Sequence, residues 1–263
     1  MVTRLRHWVP KLDDGATYWE PFVGAASMFL ALTPRRAMLG DNNPDLMACY
    51  RRIRARPDLI ARYLRVLNVP VTSAKYMTLR NTFNHLGEGY RRSALFIFLN
   101  RTCFNGIWRV SQTGRFNVPY GGNAAPDLPT IGALREYADA FKAARLRCTD
   151  FQALLRGCRS GDFVYLDPPY PPVNGTSFFA HYTSTRFSRA DQQRVADEVR
   201  RLTKLGCRVM VSNAGLPWIR RLYAEFRIES VRTTRYVAAG GIRHRVEDIA
   251  VLNYGYDGKV IEL

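Results

Sequence analysis

Asp167-Pro168-Pro169-Tyr170 follows directly on the apolar run Phe163-Val164-Tyr165-Leu166. The proline rings stiffen the loop and supply no N–H, so a carboxylate and a neighbouring backbone oxygen can be aimed at one incoming group. An amino group with two hydrogens fits that pair of acceptors, and Tyr170 offers a flat face on which a planar ring can stack. Four consecutive apolar residues suit a buried strand, and ligands of open α/β sheets bind beyond the carboxyl ends of such strands. Taken alone, the tetrapeptide also suits an ordinary rigid strand-end turn.

A second group lies upstream. Glu20-Pro21-Phe22-Val23-Gly24-Ala25-Ala26-Ser27 leads from a strand-like segment, Tyr18 to Val23, into a turn of small residues and a helix starting at Ser27. Such a turn lets a ligand approach the backbone closely, although a close helix–strand contact uses glycine in the same way. Asp41 and Asn42 end the next short apolar run, Ala37 to Gly40. An acidic residue there is the usual partner of ribose hydroxyls in adenosine-containing cofactors, and is equally suited to cap a helix.

The elements that must position these residues lie on either side of a different middle. After the strand at Tyr18, a helix over Ile131 to Ala144, a strand over Phe163 to Leu166, a helix over Ser188 to Leu205 and a strand over Cys207 to Val211 follow one another, with a last strand over Val246 to Tyr254. Ser188 and Asp191 have the spacing of a capping box. Strands alternating with helices predict an α/β fold with a mostly parallel sheet covered on both faces. In the middle, Pro57 to Leu67, Lys75 to His85 and Ser93 to Arg101 carry apolar residues at helical spacing. Residues 108–118 alternate around Gln112-Thr113-Gly114 as a β-hairpin, and residues 121–129 form a Gly/Pro/Asn/Ala linker. The predicted organisation is a discontinuous α/β domain, 1–56 and 140–263, interrupted by a mainly helical insert, 57–139.

Charge gives that insert a partner. The 263 residues carry 39 Lys+Arg against 22 Asp+Glu, a net charge of +17, with 47% hydrophobic residues to build a core. Residues 51–120 hold 13 of the basic and two of the acidic side chains, +11 of the total, which predicts a polyanion-binding face. MVTRLRHWVP has no apolar stretch of signal-peptide length behind it, and the longest apolar run, Ala94 to Leu99, is far too short to span a bilayer, so a cytoplasmic protein without a membrane partner is expected. Five cysteines without a CxxC pair and four scattered histidines predict buried reduced thiols and no metal site.

In this order, the three motifs resemble the DNA adenine N6-methyltransferase (Dam-like, D12 class) family. The resemblance extends over Leu99-Asn100-Arg101, Phe104-Asn105-Gly106-Ile107-Trp108-Arg109, Gly114 to Gly121, Asp150-Phe151, Phe178 to Tyr182, Ser212-Asn213 and Val246-Glu247-Asp248. It implies a Rossmann-like S-adenosylmethionine-dependent catalytic sheet and a target-recognition domain in the insert. Pro21, Phe22, Gly24, Ala25, Ser27, Asp41, Asn42, Asp150, Phe151 and Asp167 would form the cofactor pocket, Asp41 holding the ribose and Asp150 with Phe151 meeting the adenine. Asp167 and the Pro168 carbonyl would accept the hydrogens of the target N6, with Tyr170 stacked on the flipped base. On double-stranded DNA, Arg91 and Arg101, like Arg92, are expected on phosphates or on a solvated helix face. Phe104 or Trp108 would fill the vacated stack beside Asn105, unless both are hairpin core. Arg109 matches the family's guanine-reading arginine, and Arg115 and Asn117 belong to the same segment.

The resemblance also implies a GATC-like target, possible coexistence with a cognate restriction endonuclease without a stable complex, and association with the nucleoid. The sequence departs from the family in two places: no Trp-x-Gly-Gly-Lys precedes Glu20, and Ala26 stands where glycine is common. The same loop chemistry serves N4 of cytosine or adenine in RNA, and without the Trp-x-Gly-Gly-Lys segment a DNA-binding protein with impaired turnover is the remaining alternative.

Overall fold

A computed structural model describes residues 2–171, 187–234, 245–255 and 257–261; Phe178 to Tyr182 and the last two residues lie outside them. The chain divides into two compact units, Met1–Asn42 with Ala143–Thr176 and Phe187–Leu263, and Asn43–Lys142 with Ser177–Arg186.

The first unit is a seven-stranded sheet with the order β3-β2-β1-β4-β5-β7-β6. The strands are β1 (Tyr18–Glu20), β2 (Ala37–Asp41), β3 (Ala144–Cys148), β4 (Phe163–Leu166), β5 (Arg208–Ala214), β6 (Arg227–Thr234) and β7 (Arg245–Leu252). From β3 to β5 neighbouring strands are parallel, while β7 runs antiparallel between β5 and β6. Its helices are α1 (Val2–Leu5), α2 (Ser27–Leu32), α8 (Phe151–Leu155), α9 (Arg189–Lys204) and α10 (Pro217–Leu222). All four residues of β4 are buried, as a central parallel strand requires. Asp162 ties β4 to β1 by accepting from the Thr17 N–H at 2.8 Å and the Trp19 indole at 2.9 Å. Helix α9 begins at the expected Ser188–Asp191 capping box and buries Val195, Ala196, Val199 and Leu202 in the cluster that holds Val209 and Val211. Each such aliphatic side chain contributes about 1.5–3 kcal/mol of hydrophobic stabilisation.

Two strands escaped the sequence reading. The helix expected over Ile131 to Ala144 stops at Ala140, and Ala144 already belongs to β3. Strand β3 is an edge whose Arg145 and Arg147 face solvent; this protects an edge from further pairing but hides a strand from a search for apolar residues. Strand β6 is the opposite edge, fixed by its register on β7. Four of the cysteines are buried and free as expected, whereas Cys148, at the end of β3, is exposed.

The second unit contains α3 (Pro44–Ala55), α4 (Pro57–Leu67), α5 (Ser73–His85), α6 (Tyr90–Thr102) and α7 (Ile131–Ala140). The division falls at 42/43 and 142/143, where the sequence reading placed 56/57 and 139/140, because α3 packs on α6 and α7. Tyr50 of α3 lies 4.7 Å from Phe141 between ring centroids. The N-cap of α3 is Asn43, whose side chain accepts from Asp45 and Leu46 N–H groups, with Pro44 in the first turn where no N–H is needed.

The expected hairpin over 108–118 is a tight reversal with a single antiparallel bridge, Val110 to Phe116. Helix α5 takes the hydrogen bonds a longer ladder would have used. Asn84 both accepts from the Phe116 N–H at 2.8 Å and donates to its carbonyl at 2.9 Å, and Tyr76 donates to the Val118 carbonyl at 2.8 Å.

Candidate active site

At the carboxyl edge of the parallel strands the chemistry-bearing residues fall in a row. Asp41 ends β2, the Gly24 turn follows β1, Asp167 follows β4, and Asp150 stands two residues beyond β3, whose Cys148 pairs with Asp41. The chain reverses its direction of travel across the sheet between β1 and β4, the switch point at which ligands of doubly wound sheets bind.

Protein groups on two sides hold the loop after β4. Pro168 is buried, and the Pro169 carbonyl accepts from Gln192 Nε2 of α9 at 2.9 Å. Gln192 Oε1 in turn accepts from Asn213 Nδ2 at 2.9 Å, and both amides are buried, so neither can turn without leaving a polar group unsatisfied. On the other side, Ser212 Oγ of β5 donates to Asp167 Oδ1 at 2.6 Å, and Tyr165 Oη lies 2.9 Å from the same Ser212 oxygen. Burial and the neighbouring Asp167 push the Tyr165 phenol well above its usual range. Asp167 and Tyr170 are half-buried, so the loop's rigid base leads to accessible functional groups.

Glu20, first residue of the second motif, is buried at the end of β1. Tyr18 donates to its Oε2 at 2.8 Å, and the Phe29 N–H in the first turn of α2 adds a backbone bond. Helix α2 has no side-chain cap of its own, because Ala26 occupies the cap position in the left-handed region. Burial, reinforced by Asp167 nearby, pushes the Glu20 carboxyl up to about 8 despite these two bonds, leaving it mostly protonated at neutral pH.

The turn after β1 brings backbone and carboxylate together. Gly24 sits at φ +44° and donates its N–H to Asp41 Oδ2 at 3.2 Å, while Pro21 is buried and Gly24, Ala25, Ser27 and Asn42 are exposed around it. Gly40 packs closely on Leu154 under this turn: a Cβ there would meet Leu154 Cδ2 at 2.7 Å, and that side chain would have to shift. Further along, Asp150 caps α8 through the Gln152 N–H and receives both 2.9 Å and 3.0 Å bonds from Arg194 Nη2. The guanidinium of Arg194 lies 4.7 Å from the centre of the Phe151 ring. Phe22 completes an aromatic group, 5.2 Å from Phe151 and 5.7 Å from Phe187.

In the second unit the reversal divides its side chains into two sets. Trp108 is half-buried and packs among Phe83, Phe96 and Phe116, with centroids 4.3 Å from the latter two. Phe104 and Ile107 instead are 42% and 47% exposed, on a short turn held by Asn105 at φ +53° and by the bond from Asn100 Nδ2 to the Gly106 carbonyl. Gly121 closes behind the turn where a Cβ would lie 2.6 Å from the Cys103 carbonyl oxygen. Arg109 donates through Nε to Asn117 Oδ1 at 2.8 Å. Arg91, Arg101 and Arg115 are exposed. Arg92 is turned inwards, bound to Asp45 and to the Phe83 and Leu86 carbonyls, which corrects its reading as a phosphate contact or a solvated face.

The profile of the D12 class N6 adenine-specific DNA methyltransferases matches residues 1–237. The chain belongs to that family. It is 33% identical to the Type II methyltransferase M1.LlaDCHI of Lactococcus lactis subsp. cremoris over 90% of this chain and 86% of that one. It is likewise 33% identical to the Type II methyltransferase M.MjaIII of Methanocaldococcus jannaschii, over 97% and 95%, and 32% identical to the DNA adenine methylase of Escherichia coli K12, over 92% and 91%. The protein is thus a DNA adenine methyltransferase, acting at N6. No helix among the described residues is long and apolar enough to cross a membrane.

For this methyltransferase the sequence reading missed the supporting residues. Gln192, Arg194 and Phe187 sit in or just before a helix whose pattern advertises only its buried face, and nothing local marks them as partners of Pro169, Asp150 and Phe22, which lie on three separate segments earlier in the chain. Ser212 and Asn213 drew notice only as matches to the family; Tyr165, inside the apolar run, was read as core alone.

Proposed function

We propose that this methyltransferase transfers a methyl group from S-adenosylmethionine directly to an adenine flipped out of a GATC-like duplex site, with the loop after β4 as its reaction centre. The observation that carries the reading is the pinning of that loop at the switch point of the sheet, where Ser212 holds the Asp167 carboxylate and Gln192 holds the Pro169 carbonyl, next to the Pro168 carbonyl that would be the second acceptor.

The donor set along the carboxyl edge fits the cofactor. Carboxylates at Asp41 and Asp150 suit ribose and base donors, the Phe22–Phe151–Phe187 group suits an adenine face, and the Gly24 turn with exposed Ala25, Ser27 and Asn42 allows close backbone approach. When bound, the cofactor supplies an electrophilic methyl carbon on sulfonium. The protein's part is to prepare the nitrogen. The lone pair of an adenine amine is delocalised into the ring, and two acceptors, Asp167 and the Pro168 carbonyl, bias the nitrogen towards a tetrahedral form whose lone pair is available. Holding it in line removes most of the orientational barrier. Tyr170 provides a stacking face for the extruded base. Asp167 acts as acceptor and orienter, since the proton leaves only after the amine has become cationic.

Extruding the base costs a few kcal/mol. Phe104, exposed beside Asn105, is suited to fill the gap in the stack, whereas the half-buried Trp108 is engaged with Phe96 and Phe116. Arg109, oriented by Asn117, is suited to read a guanine, and Arg91, Arg101 and Arg115 to contact phosphates. The second unit accordingly serves as the target-recognition domain. The type II names of two relatives favour coexistence with a cognate restriction endonuclease; in this reading the protein forms no stable complex with that enzyme and acts on cytoplasmic, nucleoid DNA.

The test is to incubate GATC-containing and scrambled duplexes with labelled cofactor and identify the labelled nucleoside. N6-methyladenine confined to the GATC duplex is expected; equal labelling of both duplexes would contradict the assigned target.

A further inference from the structure

We propose that Ser212 is a positioning residue for methyl transfer: its hydroxyl, supplied with a hydrogen bond by Tyr165, fixes the plane and the ionisation of the Asp167 carboxylate. The inference rests on the reading of Asp167 as acceptor of the target amine's hydrogen.

The direction of the chain follows from counting hydrogens. Ser212 has one hydroxyl hydrogen, and its oxygen lies 2.6 Å from Asp167 Oδ1 but 3.4 Å from the Leu166 carbonyl. An ionised carboxylate only accepts, so that hydrogen goes to Asp167. The 2.9 Å contact between Tyr165 Oη and Ser212 Oγ, which either hydroxyl could donate, must then be donated by the tyrosine. Burial and the charge of Asp167 keep the phenol protonated, so this donor is never lost in the working range. The order is Tyr165 to Ser212 to Asp167, each link stabilising the ionised form of the last.

The scaffold holds both donors still. Leu166 pairs with Val211, so Ser212 stands one residue beyond the final β4–β5 pair, level with Asp167. On its other side Ser212 pairs with Ala250 of β7, and its side chain is only 1% exposed. The Leu166 carbonyl at 3.4 Å would satisfy a merely structural serine; the short charge-assisted bond goes instead to the residue that meets the substrate.

A hydrogen bond to the charged form lowers a carboxylate's pKa, so its removal must raise it. Single-turnover methyl transfer should therefore be followed from acid to alkaline pH for the full-length wild type and Ser212→Ala. The expected result is a neutral-pH rate lower by about 10- to 100-fold, with the acid limb of the profile displaced upwards by about one pH unit. Affinities for cofactor and duplex should stay within about twofold, Ser212→Thr should restore most of the rate, and Tyr165→Phe should displace the acid limb in the same direction by less.

A wild-type rate and acid limb in Ser212→Ala would overturn the proposal, and so would a lowered rate with an unmoved limb. Should Ser212→Ala not fold, an unmoved limb in Tyr165→Phe overturns it alone. Asp167→Ala in the same series keeps the two ideas apart. Retained transfer there removes the reading on which the proposal rests; abolished transfer with an unaltered Ser212→Ala removes the proposal only.

Discussion

The loop carrying Asp167 and the reversal carrying Arg109 are anchored in contrasting ways. In the first, side chains from α9 and β5 grip the loop itself: the Pro169 backbone oxygen through Gln192 and the Asp167 carboxylate through Ser212. In the second, α5 grips the backbone of Phe116 and Val118, Trp108 is packed among phenylalanines, and Phe104, Ile107 and Arg115 are left to solvent. The difference fits the role proposed for each. Two acceptors that bias one nitrogen have to be fixed before it arrives, because reorganising them during reaction would add to the barrier. A segment that reads duplex DNA needs a firm backbone and exposed donors and rings, since its partners are supplied by the nucleic acid.

If that contrast is right, releasing the first region should damage turnover far more than binding. Gln192→Leu removes the tether on Pro169 and strands the Asn213 amide; transfer should fall on the order of 100-fold and stability by about 1–3 kcal/mol, with duplex affinity within about twofold. Comparable losses of affinity and rate would erase the distinction. Glu20→Gln probes the same rigid region through pH. The folded carboxyl titrates at about 8, above the ordinary carboxylate range, so the folded state binds more protons than the unfolded one between roughly pH 4.5 and 8 and wild-type stability falls as pH rises through that window. Thermal unfolding of Glu20→Gln should lose this slope and exceed wild type by a few kcal/mol at pH 9; an unchanged slope would mean that Glu20 is ionised in the fold. In the second region, Arg109→Ala should cost about 1–3 kcal/mol of discrimination against single-base variants of the site, read as ratios of kcat/KM, while the rate on saturating cognate duplex changes little. Uniform weakening on every sequence would make Arg109 a phosphate contact.

Much of the first region was legible because its signals are local. Four apolar residues before Asp167 define a central strand, and Ser188 with Asp191 defines a helix start. The edges were not legible. Strand β3 alternates arginine with alanine and leucine, and β6 owes its place to pairing with β7, which no short window contains. The hairpin prediction rests on alternation around Gln112-Thr113-Gly114; the side chains of Tyr76 and Asn84, about 30–40 residues earlier, decide how its backbone is satisfied. Arg92 shows the same limit, since an arginine turned onto Asp45 and two carbonyls is indistinguishable in sequence from one facing a phosphate. The groups that would touch substrate could be named from their motifs, whereas the residues that hold them are joined to those motifs only by the fold.

The central claim is that Asp167 orients the target amine and does not hold the protein or the DNA together. It is tested most directly by single-turnover methyl transfer with Asp167→Ala, measured alongside duplex binding and thermal unfolding. The expected result is transfer lowered by at least about 1,000-fold, the scale of losing a main electrostatic contact in a transition state, with duplex affinity within about twofold and a folded protein. Transfer within about tenfold of wild type would contradict the account, because the amine would then find its orientation elsewhere.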